Sequence, residues 1–119
     1  MTRLLVLVYD VAACDAMKLL LEMDGFEVAA TTSSGAALSY LGNERFGAMI
    51  VDVDMPGQGV ALIRAVRAAA PYLPIFVISG YLDSPDTRAA ANYGPERILT
   101  RPLDYERLTT YLRQCLEPK

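Results

Sequence analysis

Asp52 and Asp54 stand one residue apart at the end of the apolar run AMIVD, just before Met55, Pro56 and Gly57. Side chains alternate along a strand, so residues i and i+2 point the same way, and both carboxylates sit where the chain leaves a buried strand. Desolvating an unpaired carboxylate is costly, so something must balance the charge. Three chemistries fit the pair. Asp52 could attack a phosphoryl group, the two could ligate a hard cation through oxygen, or they could form a plain acidic strand-to-loop junction. The other polar residues that follow short apolar runs are Asp10, Ser79 with Gly80, and Arg101 with Pro102.

These residues need elements to position them. The runs at 4–8 (LLVLV), 27–31 (EVAAT), 48–52 (AMIVD), 75–79 (IFVIS) and 97–100 (RILT) lack polar alternation, as strands covered on both faces do. Met17, Leu20, Leu21 and Asp24 follow helical spacing, as do Val60, Ile63, Val66 and Arg67, and later Tyr105, Leu108, Leu112 and Cys115. Ser34 is a candidate N-cap for the second helix and Asp104 for the last, and Gly25, Gly42, Gly47 and Gly94 punctuate turns. The pattern predicts an α/β domain of (βα)5 type, with a five-stranded, doubly wound parallel sheet in the flavodoxin-like order 2-1-3-4-5. Ligands of such sheets bind outside the carboxyl ends of the strands, where strand order reverses. A carboxylate, a hydroxyl and a cation at one rim look like a phosphoryl site, with Asp52 as acceptor, Ser79 donating a hydrogen bond to the transferred group and Arg101 balancing its charge. Arg101 is also the group expected to pair with Asp52 at rest.

Composition narrows the possible functions. The 119 residues suit one domain over 1–119, and 53% of them are hydrophobic. A net charge of −3 argues against a nucleic-acid surface, which needs clustered Lys and Arg. The absence of histidine removes the usual general base, the commonest metal ligand and any Ser-His-Asp arrangement. Cys14 and Cys115 lie too far apart in sequence for a metal motif and are expected to be reduced, partly buried hydrophobes. The start, MTRLLVLVYDVAAC, loosely resembles a lipoprotein leader. Asp10 interrupts its short apolar stretch, however, and cleavage before Cys14 would remove a core strand. No transmembrane run is present, and a cytoplasmic protein without membrane contact is expected. The last helix carries Tyr105, Arg107, Tyr111 and Arg113, residue types that interfaces favour, which makes a homodimer or a protein partner an expectation there.

Over nearly its whole length the chain resembles the receiver domain of two-component response regulators. The matching motifs are D-x-x-M-P at 52–56, Ser79 followed by a small residue, and the basic-Pro pair Arg101-Pro102. The resemblance implies that a histidine kinase or phosphotransfer protein donates a phosphoryl group to Asp52 with Mg²⁺ assisting. It also implies that the face around the fourth and fifth strands and the last helix changes its downstream protein partner, and that the chain is not an enzyme. Several positions depart from the family pattern. Counting back from Gly25, Val8 and Tyr9 occupy the places of the acidic pair that helps hold Mg²⁺. Asp10 falls one residue late, an arginine stands for the usual lysine, the loop after Pro56 is one residue short, and Ile98 replaces the aromatic switch. These departures imply a site that binds Mg²⁺ weakly or not at all, through Asp52, Asp54 and Asp10. They leave open a pseudo-receiver that docks proteins without phosphorylation.

The stretch MIVDVDMPG also resembles the D-x-D motif of haloacid-dehalogenase-like phosphatases, with Asp52 as nucleophile and Asp54 as general acid. Those enzymes begin at this motif and need a late acidic strand. Here two strands precede it and the tail forms one helix. A flavin or nucleotide site is disfavoured because the first loop, YDVAACD, has no glycine to admit a phosphate to the backbone.

Overall fold

The computed structural model describes residues 2–54 and 59–116. Strands and helices alternate throughout: β1 Arg3–Leu7, α1 Val11–Met23, β2 Glu27–Thr31, α2 Ser34–Asn43, β3 Ala48–Asp52, α3 Gly59–Ala69, β4 Ile75–Ser79, α4 Pro85–Ala91, β5 Arg97–Thr100 and α5 Tyr105–Leu116. All strands are parallel, in the order β2-β1-β3-β4-β5. This is the predicted (βα)5 fold. Strand order reverses between β1 and β3, so the rim between their carboxyl ends is a topological switch point.

Period-2 alternation sorts each strand onto two cores. Leu5, Leu7, Met49, Val51, Ile75 and Val77 face one side, packed with Ala37 of α2, Leu62, Ile63 and Val66 of α3, and Ala90 of α4. Leu4, Val6, Ile50, Phe76, Ile78 and Leu99 face the other, packed with Cys14, Met17 and Leu21 of α1 and Leu108 and Leu112 of α5. Burying both faces explains why the strand sequences read as unbroken apolar runs.

Local boundaries differ from the sequence reading at a few points. β1 begins at Arg3 and ends at Leu7, while Val8 extends its ladder by one bond from its N–H to the Thr31 carbonyl at 3.2 Å. Ser33, not Ser34, caps α2: its Oγ accepts from the Ala36 N–H at 3.2 Å, and Ser34 is the first helical residue. Adjacent serines have the same capping chemistry, and the extended backbone of Ser33 decides between them. Gly42 lies within the last turn of α2 rather than in a turn between elements. Gly25 and Gly94 do take left-handed backbone, with φ of 94° and 65°. Leu20, expected on the inner face of α1, is largely exposed, and Cys14 joins Met17 and Leu21 there instead. Asp104 caps α5 as predicted, accepting from the Arg107 N–H at 3.1 Å.

Candidate functional site

Parity along the strands decides what meets at the switch point. In β3, Ala48 and Ile50 belong to the α1/α5 face, so Asp52 emerges on that face too. In β1, Leu4 and Val6 share the face and Val8 follows them. Past the end of β5 the Arg101 N–H bonds the Ser79 carbonyl at 3.0 Å, continuing the ladder. That bond leaves the Arg101 side chain on the same side as Leu99.

Asp52, Asp54 and Arg101 form one ion cluster. The Arg101 guanidinium bridges both carboxylates, with Nη2 on Asp52 Oδ2 and Nη1 on Asp54 Oδ2, the latter at 2.6 Å. Asp52 is 2% exposed, and its second oxygen accepts from the Asp54 N–H at 2.9 Å. Asp54 Oδ2 also accepts from the Gly80 N–H at 2.6 Å, tying the β3 loop to the end of β4. A Cβ added at Gly80 would lie 3.2 Å from Asp54 Oδ2, so a glycine lets the strand end approach this carboxylate. The expected pairing of Arg101 with Asp52 is present. The planar fork reaches a second carboxylate as well, which a lysine ammonium could not do with the same geometry.

Two other predicted site residues are held elsewhere. Ser79 follows Ile75 and Val77 onto the α3/α4 face, opposite to Asp52. Its buried hydroxyl contacts Thr87 Oγ1 at 2.6 Å and accepts from the Tyr81 N–H at 3.0 Å. Asp10 is the N-cap of α1, its Oδ2 accepting from the Ala13 N–H at 2.8 Å. Thr87 was missed in the sequence reading. The signal for it was Ser84-Pro85-Asp86-Thr87, a cap followed by Pro in the first turn, which starts a helix and delivers Thr87 to the back of β4.

Around the ion cluster lies a cleft of about 410 Å³, with Val8, Tyr9 and Asp10 along one wall and Ile78, Arg101 and Leu103 along another. Val8 is 3% exposed and Tyr9 57%. Neither supplies a carboxylate to the cleft. Mg²⁺ needs near-octahedral oxygen ligation. Here both oxygens of Asp52 and Oδ2 of Asp54 are engaged by a guanidinium and backbone N–H groups, and Asp10 Oδ2 is occupied as a cap. Among the described residues no group of three or more acidic or cysteine side chains could hold a metal. The donor set therefore does not fit a tightly held Mg²⁺. Cys14 is no candidate nucleophile either, because burial pushes its thiol pKa up, aided by the charge of Asp15.

Residues 6–113 match the response regulator receiver domain. The chain belongs to this family. The receiver is 31% identical over 108 residues to the transcriptional regulatory protein FixJ of Bradyrhizobium diazoefficiens, a match covering 90% of this chain and 53% of FixJ. It is 33% identical over 105 residues to the C4-dicarboxylate transport transcriptional regulatory protein DctD of Rhizobium meliloti, covering 87% of this chain and 23% of DctD. The chain thus spans about half, or about a quarter, of these curated relatives. Among solved structures, a CheY-like receiver domain protein from Methanospirillum hungatei superposes with a TM-score of 0.90 at 23% identity, covering 98% of this chain and 94% of that one. Receiver domains are regulatory modules of two-component signalling, and they generally bind Mg²⁺ at their phosphorylation site. The family match does not favour the phosphatase reading, and the only helix after β5 among the described residues is α5. No helix among the described residues is long and apolar enough to cross a membrane. Met55 and Pro56 of the D-x-x-M-P motif, and the short loop after them, lie outside the described residues.

Proposed function

We propose that the chain is a single receiver domain over residues 1–119 with Asp52 as its phosphoacceptor. A carboxylate oxygen of Asp52 attacks the phosphorus of a phosphohistidine on a kinase or phosphotransfer protein. The P–N bond breaks, the imidazole keeps the electron pair and takes a proton from solvent, and an acyl phosphate remains on Asp52. The observation that carries this reading is the Arg101 guanidinium beside Asp52, a pre-placed cation for the equatorial oxygens of the transferred group. Mg²⁺ contributes weakly, because Val8 and Tyr9 stand where carboxylates would be needed. The receiver is regulatory rather than enzymatic, works in the cytoplasm, and passes its signal to a downstream protein. The module itself does not contact nucleic acid, in keeping with its net charge of −3.

Self-association through α5 has fewer free groups than the sequence implied. Tyr105 bonds Asp24 at 2.9 Å, Tyr111 lies 4.2 Å under the Arg97 guanidinium, and Arg113 sits 5.6 Å from the Phe26 ring. Arg107 remains exposed on that helix.

The second reading, a docking module that works without phosphorylation, is favoured by one observation. Asp52 is already neutralised and nearly excluded from solvent. Intact mass after incubation with acetyl phosphate separates the two. One added phosphoryl group, abolished by Asp52→Asn, supports the receiver chemistry. No adduct at any Mg²⁺ concentration leaves the docking module.

A further inference from the structure

We propose that a second copy of the chain docks on the outer face of α1, the two helices packing antiparallel about a two-fold axis. Cys14, Met17 and Leu21 form the buried face of this helix. On the opposite side Ala12, Ala16, Leu19 and Met23 recur at alternating intervals of four and three residues, which places them in one line along the helix. All four are exposed, Leu19 by 60% and Met23 by 74%, and Leu20 beside them by 41%. A helix that is apolar on both sides is ordinarily covered on both, whereas α1 is covered on one. Exposed apolar residues that stand singly need no explanation, but a continuous line of them marks a contact surface. The inference concerns assembly and does not depend on phosphoryl transfer at Asp52.

Shape and charge select the occupant. The small side chains of the line, Ala12 and Ala16, lie toward the N-terminal end of α1, and the large ones, Leu19 and Met23, toward its C-terminal end. An antiparallel copy sets Ala16 against the partner's Leu19 and Ala12 against the partner's Met23, so each large side chain enters the space over a small one. A parallel copy would crowd large against large and leave voids over the alanines. The charges follow the same rule. Asp15, Lys18 and Glu22 flank the line on one side, and none of them makes an ion pair among the described residues. The antiparallel register brings Lys18 opposite the partner's Asp15, whereas the parallel one would oppose Lys18 to its own copy. An isologous contact needs self-complementarity of this kind. In α5, by contrast, Tyr105, Tyr111 and Arg113 are engaged within the chain.

Sedimentation equilibrium of the full chain tests this. The wild type is expected to pass from monomer to dimer with a dissociation constant of about 0.1 mM, in the weak class of interface that one helix pair forms. Leu19→Asp puts an unpaired charge into the line on both subunits and should abolish the dimer. Lys18→Glu sets like charges together and should weaken it about tenfold, and Asp15→Lys combined with Lys18→Glu should restore it. Ala16→Leu overfills the line and should weaken it, while Ala16→Leu combined with Leu19→Ala exchanges large and small and should restore it. All these positions are exposed, so circular dichroism should show a folded chain in every variant. A wild type that stays monomeric at millimolar concentration, a dimer that survives Leu19→Asp, or paired variants no better than the single ones would overturn this assembly. Phosphate uptake at Asp52 is read separately by the mass measurement.

Discussion

Two arginines tie loops together in this receiver, and they do it with opposite chemistry. Arg67, on α3, donates to main-chain carbonyls only: Tyr93 at 2.7 Å, Gly94 at 3.0 Å, Pro71 at 3.3 Å, and Leu73. It fastens the loop before β4 to the turn after α4. Arg101, at the opposite end of the sheet, donates to the carboxylates of Asp52 and Asp54. Carbonyl acceptors keep their character under all mild conditions, so the Arg67 tie is permanent. Carboxylates carry a full charge, so the Arg101 tie is an ion pair that salt screens where it meets solvent. The same side chain makes a neutral-acceptor staple in one place and an ionic clamp in the other, and the acceptors decide which.

The largest effect should come from the staple. Arg67→Ala leaves several carbonyls without a charged donor and is expected to destabilise the fold by about 3 kcal/mol in urea unfolding, independent of salt. A loss under about 1 kcal/mol would reduce Arg67 to an ordinary surface residue. Arg101→Ala comes next, at about 2 kcal/mol. It strands the buried Asp52, but the guanidinium is 39% exposed, so water can partly replace it. Asp52→Asn should cost less, since the amide oxygen still accepts from the Asp54 N–H and Arg101 keeps Asp54. Reversal of that order would mean that Arg101 is not the counter-charge of Asp52.

Mg²⁺ sharpens the comparison from the ligand side. Stabilisation by a ligand follows its concentration relative to its dissociation constant, so millimolar Mg²⁺ should leave the melting temperature of the wild type almost unchanged. Val8→Asp with Tyr9→Asp should melt lower without metal, because Val8 is buried, and regain several degrees with it. A large Mg²⁺ shift in the wild type would show that Arg101 yields its carboxylates readily.

The smallest effect calibrates a tie with one neutral partner. The Tyr105 hydroxyl donates to Asp24 at 2.9 Å, and burial, that bond and the Asp24 charge raise its pKa. A raised phenol pKa favours the protonated folded form, so this contribution is full below the ordinary value near 10 and fades as pH rises above it. Tyr105→Phe should cost about 0.5 kcal/mol at neutral pH and flatten the loss of stability above pH ~10.

The elements were legible because both signals are local. Runs such as AMIVD and IFVIS match β3 and β5's neighbour β4 residue for residue, since strands buried on both faces must be apolar throughout. Asp52 was legible as a rim carboxylate because it ends such a run. The partner of Asp52 was expected from charge balance, but the second arm of the clamp to Asp54 was not, because reach across strands depends on register. The roles of Asp10 and Ser79 were least legible. One became a helix cap through the backbone turn after β1, and the other was carried to the far face.

Taken alone, the sequence determined the number and order of elements, the two apolar faces of each strand and the carboxylate at the end of β3. All of these follow from neighbouring residues and short periods. Tertiary structure decided which rim groups meet. Alternation says that Asp52 and Ile50 share a face and that Ser79 and Val77 share one. Only the packing of α1 and α5 on one side and α3 and α4 on the other makes those two faces opposite. That is why Asp52 meets Arg101 and Val8 in a cleft while Ser79 meets Thr87 behind the sheet.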